Sequence, residues 1–291
     1  MKYLLGIVLF AGLVALLLLA GCSSDDGPVA PPSNPAGYTA ADGLNGGQLY
    51  DKFWASETGW NQSDPNNSTF NAYSNFFRCK QCHGWDLLGS QGAYISRSPS
   101  TSRPNVSSLN LRSVAASKTP QELFNALKSG GNRRSVSADL STYDPDTNST
   151  IGDQMPDYGS FMSDDQLWDL VKFLKVEAVN IAELYEFTTS GVYPTGSISF
   201  SNIGLDGDAT AGDAIFASRC RSCHGANGTA ILVDGGSYTV GSHLRSKPYE
   251  DQHKIKFGQL GSAMRRGLVT NTTDLKNLYK ALADTVKYPA P

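Results

Sequence analysis

The chain has 291 residues, with 24 Lys and Arg against 27 Asp and Glu and a formal net charge of −3. That balance, which loss of Lys2 with an N-terminal leader would take to about −4, excludes nucleic acid as a partner class. No Gly-rich phosphate loop, serine triad or zinc-protease signature is present, and the length beyond a leader suits two modules of ordinary domain size.

The N-terminus carries a single positive charge at Lys2, followed by an apolar run of seventeen residues from Leu4 to Ala20. The run reads as a signal peptide over 1–21, and it sits at the short edge of what would cross a bilayer. Leu19-Ala20-Gly21-Cys22 resembles the lipobox of bacterial lipoproteins, in which the cysteine is lipidated and becomes the first residue after cleavage. The resemblance implies that Cys22 anchors the chain to a membrane of the cell envelope, with the globular part on the periplasmic side or at the cell surface. Ser23, where an aspartate would favour retention at the inner membrane, leans towards the outer membrane. Residues 22–40 are rich in Ser, Asp, Gly and Pro, including Pro31, Pro32 and Pro35, and are expected to form a flexible tether.

Gly46 to Phe53 looks like an opening helix, and Gly212 to Phe216 occupies the same place in the second half. The first half carries about 25 extra residues before its next landmark, including the turn-forming cluster Asn61 to Ser68, expected at the surface. A middle helix starts at the capping box Thr119-Pro120-Gln121-Glu122 and runs through Leu123, Phe124 and Leu127; its counterpart starts near Pro248 and ends at Gly258. Ser163-Asp164-Asp165-Gln166 caps a closing helix with Leu167, Leu170, Val171 and Leu174 on one face. Leu275, Leu278, Tyr279 and Leu282 repeat that face after Thr272 and Thr273. Between the halves, Tyr185 to Gly204 breaks the helical pattern, with a short strand expected around Ile198 to Phe200.

Cys79-Lys80-Gln81-Cys82-His83-Gly84 recurs as Cys220-Arg221-Ser222-Cys223-His224-Gly225. Each C-x-x-C-H run is the attachment signal of a c-type haem: two thiols form thioethers with the macrocycle and the adjacent imidazole reaches the iron. A zinc knuckle or a thioredoxin-like pair would require no histidine directly after the second cysteine. Four of the five cysteines are thereby used, Cys22 is the fifth, and none is left for a structural disulfide.

A sixth iron ligand decides between electron transfer and chemistry on substrate. Met155 precedes Leu167 by twelve positions and Met264 precedes Leu275 by eleven, whereas Met162, beside the Ser163 cap, reads as core packing. His243 is read as a loop residue, and His253, in a charged helix start, as a surface or propionate-contacting residue; bis-histidine ligation in the second half is the alternative. Arg97, Arg245 and Lys247 are candidates to neutralise propionates, with solvated surface residues the plain alternative. Trp54, Phe77, Trp85, Tyr158 and Trp168 are candidate haem packing, with aromatic core the default for each.

The order of opening helix, C-x-x-C-H-G, middle helix, methionine loop and closing helix resembles the cytochrome c fold twice over. Met155-Pro156 resembles the family's Met-Pro distal loop; around Met264, Arg265 stands where proline is usual. The resemblance implies a mainly α chain of two tandem modules, 41–187 and 205–291, joined by a linker at 188–204, each around one covalently bound haem c. His83 and His224 are then proximal ligands, and Met155 and Met264 distal ones. The expected function is electron transfer between redox partner proteins through the two haems. The alternatives are a dihaem oxidoreductase of the thiosulfate dehydrogenase or peroxidase type, and a cytochrome subunit serving a larger enzyme. Arg133-Arg134 and Arg265-Arg266 are candidate docking patches for an acidic partner.

Overall fold

A computed structural model describes residues 33–55, 63–99, 105–131 and 155–291. The signal peptide, Cys22, most of the tether, the turn-former residues Asn61 and Gln62, and Arg133-Arg134 lie outside the described residues.

The first helix was not expected. Within the segment read as tether, Ala36–Ala40 forms α1. Tyr38 is the reason: its ring is buried and meets Trp168 edge-on at 6.4 Å, so the last turn before the first module is folded onto it. α2 (Gly43–Lys52) opens at Asp42, whose carboxylate accepts from the Leu44 and Asn45 N–H groups at 2.9 and 3.1 Å. The additional segment of the first half supplies α3 (Asn67–Ala72) and α4 (Ser74–Phe77). Ser63 to Ser68 include exposed positions, but Phe70 is fully buried and stacks on Trp54 at 5.4 Å, so the insert ends inside the core.

The first attachment turn is α5 (Cys79–His83). α6 (Leu111–Ser117), α7 (Pro120–Ser129) and α8 (Asp164–Lys172) follow. Both expected capping boxes form, Thr119 with Glu122 and Ser163 with Gln166. β1 (Glu186–Ser190) and β2 (Ser197–Ser201) make an antiparallel hairpin in which Phe187 opposes Phe200. The expected strand therefore has a partner that the sequence reading left out.

In the second half, α9 (Ala209–Arg219) precedes the second C-x-x-C-H turn, α10 (Arg221–His224), then come α11 (Val240–Ser246), α12 (Pro248–Phe257) and α13 (Thr272–Leu282). Asn271 caps α13 by accepting from the Asp274 N–H at 2.8 Å.

Two helix crossings share one design. The Asp42 N–H donates to Asp169 Oδ1 on α8 at 2.7 Å, and the Asp208 N–H donates to Asn277 Oδ1 on α13 at 2.8 Å. A Cβ on Gly46 would run into the Asp169 carbonyl, and one on Gly212 into the Asn277 carbonyl, so glycine permits both close approaches. Two apolar clusters form around these crossings. One holds Leu49, Tyr50, Phe53, Leu123, Phe124, Leu167, Leu170 and Val171; the other holds Ile215, Phe216, Leu244, Ile255, Leu275, Leu278, Tyr279 and Leu282. Each fully buried aliphatic or aromatic side chain contributes about 1.5–3 kcal/mol.

The clusters do not divide at the expected linker. Val179, Ile181, Leu184 and Tyr185, placed in the first module by sequence, pack in the second cluster, and Phe257 of α12 packs in the first. Pro35 to Pro291 accordingly forms one compact unit. Among the described residues no helix is long and apolar enough to cross a membrane.

Candidate haem attachment sites

Each C-x-x-C-H run forms a short helical turn closed by glycine. Gly84 has φ +75° and its N–H donates to the Lys80 carbonyl at 3.0 Å; Gly225 has φ +79° and donates to Arg221 at 2.9 Å. An L-residue rarely adopts that φ, so glycine after the histidine ends the turn and releases the chain. A helical turn places residues three apart on one side, which puts Cys79 with Cys82 and Cys220 with Cys223 for attachment to one edge of a macrocycle.

The methionine loops return to these turns. Three residues beyond Met155, the Tyr158 hydroxyl donates to the Phe77 carbonyl at 2.8 Å, and Met155 packs with Cys79 against the first cluster. Four residues beyond Met264, the Leu268 carbonyl accepts from Arg219 at 2.9 Å, and Met264 packs with Cys220 against the second cluster. Each cysteine turn thus shares an apolar cluster with its own candidate methionine. Met162 is buried in the first cluster, as its core reading required.

The chemistry of the donor set fits covalent haem. All four described cysteines are free thiols. Burial pushes the Cys79 and Cys220 thiols up to about 11, which disfavours a free thiolate at either position at neutral pH. Among the described residues no three His, Cys, Asp or Glu side chains gather to hold a metal ion. Burial also lowers the His224 pKa, favouring the neutral imidazole that ligates iron.

Several supporting residues escaped the sequence reading. The Tyr50 hydroxyl donates to the Gly84 carbonyl at 2.6 Å, fixing the opening helix to the first attachment turn. Phe216 stands at the corresponding place of α9, and superposing the opening helices on their aspartate caps would have singled out Tyr50. Asp86, three residues after His83, is buried, and accepts from Leu88 N–H at 3.1 Å and Ala93 N–H at 2.7 Å. Burial outweighs these donors and raises its carboxyl to about 6.

Both remaining histidines depart from expectation. His253 is 1 % exposed, wedged between the rings of Trp85 (4.6 Å) and Phe257 (4.7 Å), and is not at the surface. It lies on the face of α12 that meets the first half, a relation invisible within one module's sequence. Burial pushes its pKa down to about 3. His243 is a buried helical residue whose Nδ1 lies 3.0 Å from both Asp251 oxygens. Burial opposes its imidazolium, but the Asp251 bond and charge outweigh it and the pKa rises. Arg245 donates to the Leu282 and Tyr288 carbonyls, Lys247 pairs with Asp234, and Arg97 bonds Gln81, which gives each a protein partner. Trp54, Phe77, Trp85, Tyr158 and Trp168 are all buried.

The family model described as Cytochrome c matches residues 71–176, a span that holds Cys79, Cys82, His83, Met155 and α8. The match supports a c-type cytochrome domain, with covalently bound haem c and haem-based electron transfer in general. No curated protein and no solved structure matches the chain.

Proposed function

We propose that the chain is a dihaem electron carrier of two tandem cytochrome c-like modules. Cys79 and Cys82 attach one haem and Cys220 and Cys223 the other, with His83/Met155 and His224/Met264 as axial pairs. The observation that carries the reading beyond the matched span is the repeated frame: Asp42, Gly46 and Asp169 in one half do what Asp208, Gly212 and Asn277 do in the other. Within each frame a cysteine turn and a methionine flank the same apolar cluster.

Covalent haem supplies one-electron exchange when bound. His83, Met155, His224 and Met264 would hold it, the two apolar clusters would shield it from water, and Tyr50 and Tyr158 fix the first turn and Arg219 the second methionine loop. Methionine on the distal side favours a relatively positive potential. Lipidation of Cys22 would hold the carrier at the periplasmic side of the envelope, where other redox proteins are its partners.

Separate Met155→Ala and Met264→Ala variants test the ligand set. Each should open one haem, and one alone, to carbon monoxide in the reduced protein. Carbon monoxide binding by the unmodified protein would instead point to an open site and the oxidoreductase reading.

A further inference from the structure

The two methionine loops differ in what holds them. Among the described residues, the segment that follows Met155 bonds within its own half, through Tyr158 to the Phe77 carbonyl and through Ser163 with Gln166. The loop that carries Met264 leaves α12 at Gly258, which has φ +81°. It closes on itself: the Gln259 N–H donates to the Met264 carbonyl and the Gly267 N–H to the Lys256 carbonyl, both at 2.9 Å. Its tip, Gly261 to Ala263, is exposed.

Three anchors at the base of this loop lie in the first half. Phe257, the last residue before the loop, is fully buried in the first cluster. Lys256 is buried beside it, and its Nζ donates to the Glu177 carbonyl at 2.8 Å and lies 3.0 Å from Glu177 Oε2. Arg266, two residues after Met264, donates to Asp42 Oδ2 at 2.9 Å. The two charged anchors share one patch, because a Cβ on Gly43, next to Asp42, would run into the Glu177 side chain. Met264 itself packs with Cys220 against the second cluster. The loop is therefore rooted in one half and delivers its methionine to the other.

We infer that Lys256 and Arg266 are positioning residues for the distal ligand of the second haem, so that the first half governs whether Met264 stays on that iron. The inference rests on the dihaem reading with Met264 as a ligand. Met155 is followed by Pro156, whose ring fixes the backbone there; Met264 is followed by Arg265, and its loop depends on its anchors instead. An exposed tip with few contacts of its own keeps one arrangement only through its ends. Of the two charged anchors Lys256 is the stronger, since a buried ammonium must be partnered, whereas the Arg266 pair is partly open to solvent.

The test uses the folded holoprotein. K256M/R266Q should reduce the far-red methionine-to-iron band of the oxidised protein from two equivalents to about one, and let one haem bind carbon monoxide when reduced. Amide exchange over residues 259–264 should speed up roughly tenfold. R266K, which keeps a cation opposite Asp42, should retain both equivalents. Asn271→Ala, which removes the cap of α13 and no loop anchor, should lower stability and leave the band unchanged. D42N/E177Q removes the same two charge contacts from the other side while leaving an acceptor to cap α2. It should move the band and the exchange in the same direction, and it decides the matter should K256M/R266Q not fold. Two full equivalents with unchanged exchange in the double variants would overturn the inference, as would loss of the band in Asn271→Ala. Met264→Ala separates this from failure of the ligand reading. If that variant keeps two equivalents, the reading falls and the inference with it; if it loses one while the double variants lose none, the inference alone falls.

Discussion

The Cys79–His83 turn and the Cys220–His224 turn have one motif, one helical geometry and one left-handed glycine, yet opposite surroundings. The first is packed under α12, with Trp85 2 % exposed and Gln252 bonded to its carbonyl. The second leaves Arg221, Ser222 and Cys223 in solvent. The shared motif sets the turn and its left-handed glycine; the two residues between the cysteines, and what is packed on them, differ. In the first turn they are buried, Gln81 bonding Asn75 and Lys80 lying over the Trp85 ring. In the second they are exposed.

The largest expected effect comes from breaking the contact that makes the first turn different. Phe257 enters the first cluster from the second half, and its ring lies where a Cβ on Gly47 would go. Phe257→Ala should cost about 3–5 kcal/mol and split a single denaturation transition into two, seen by following each half's absorbance and fluorescence. An unsplit transition of unchanged midpoint would show that the halves do not depend on this seam.

The seam should also be sensitive to acid. His253 is held neutral by burial, with its pKa pushed down to about 3, whereas an unfolded histidine titrates near 6.5. Its contribution is therefore fully present above pH 6.5 and is lost as pH falls towards 3, at about 1.4 kcal/mol per pH unit. Comparing urea midpoints of the unmodified protein and His253→Gln from pH 7 to pH 4 isolates it, and the variant should show the shallower dependence.

What the halves share should respond alike. Gly46→Ala and Gly212→Ala each drive a Cβ into a backbone carbonyl of the closing helix, and each should cost about 1–3 kcal/mol in thermal or denaturant unfolding. A large loss in one and none in the other would mean that the two crossings are not equivalent. The caps give the smallest effect: Ser163→Ala and Asn271→Ala should each lower stability by about 1 kcal/mol.

Local signals were legible wherever one helix face or one turn decides the outcome. Thr119 with Glu122 and Ser163 with Gln166 form the boxes their spacing indicates, and Leu275, Leu278, Tyr279 and Leu282 are all buried. The cytochrome c domain over residues 71–176 was legible because the spacing from Cys79 to His83 is one its chemistry demands. What was not legible depends on contacts between distant segments. His253 looks polar in a charged helix start, and only the approach of α12 to the first half buries it. Tyr38 sits in a stretch whose composition suits a tether, and a single ring packing on Trp168 orders α1 there. Val179 to Tyr185 pack in the second cluster because the helix that continues from α8 through Glu177 ends at Ala178 in extended backbone, which hydrophobic periodicity does not record.

The central claim is that both turns carry a haem with methionine on its distal side. The most direct measurement is the absorption spectrum of the oxidised protein, normalised to haem count by intact mass, in the weak far-red methionine-to-iron band. Two attached haems with two equivalents of that band and no high-spin signal are expected. One haem, one equivalent, or a high-spin component would contradict the account and single out one half as something other than an electron carrier.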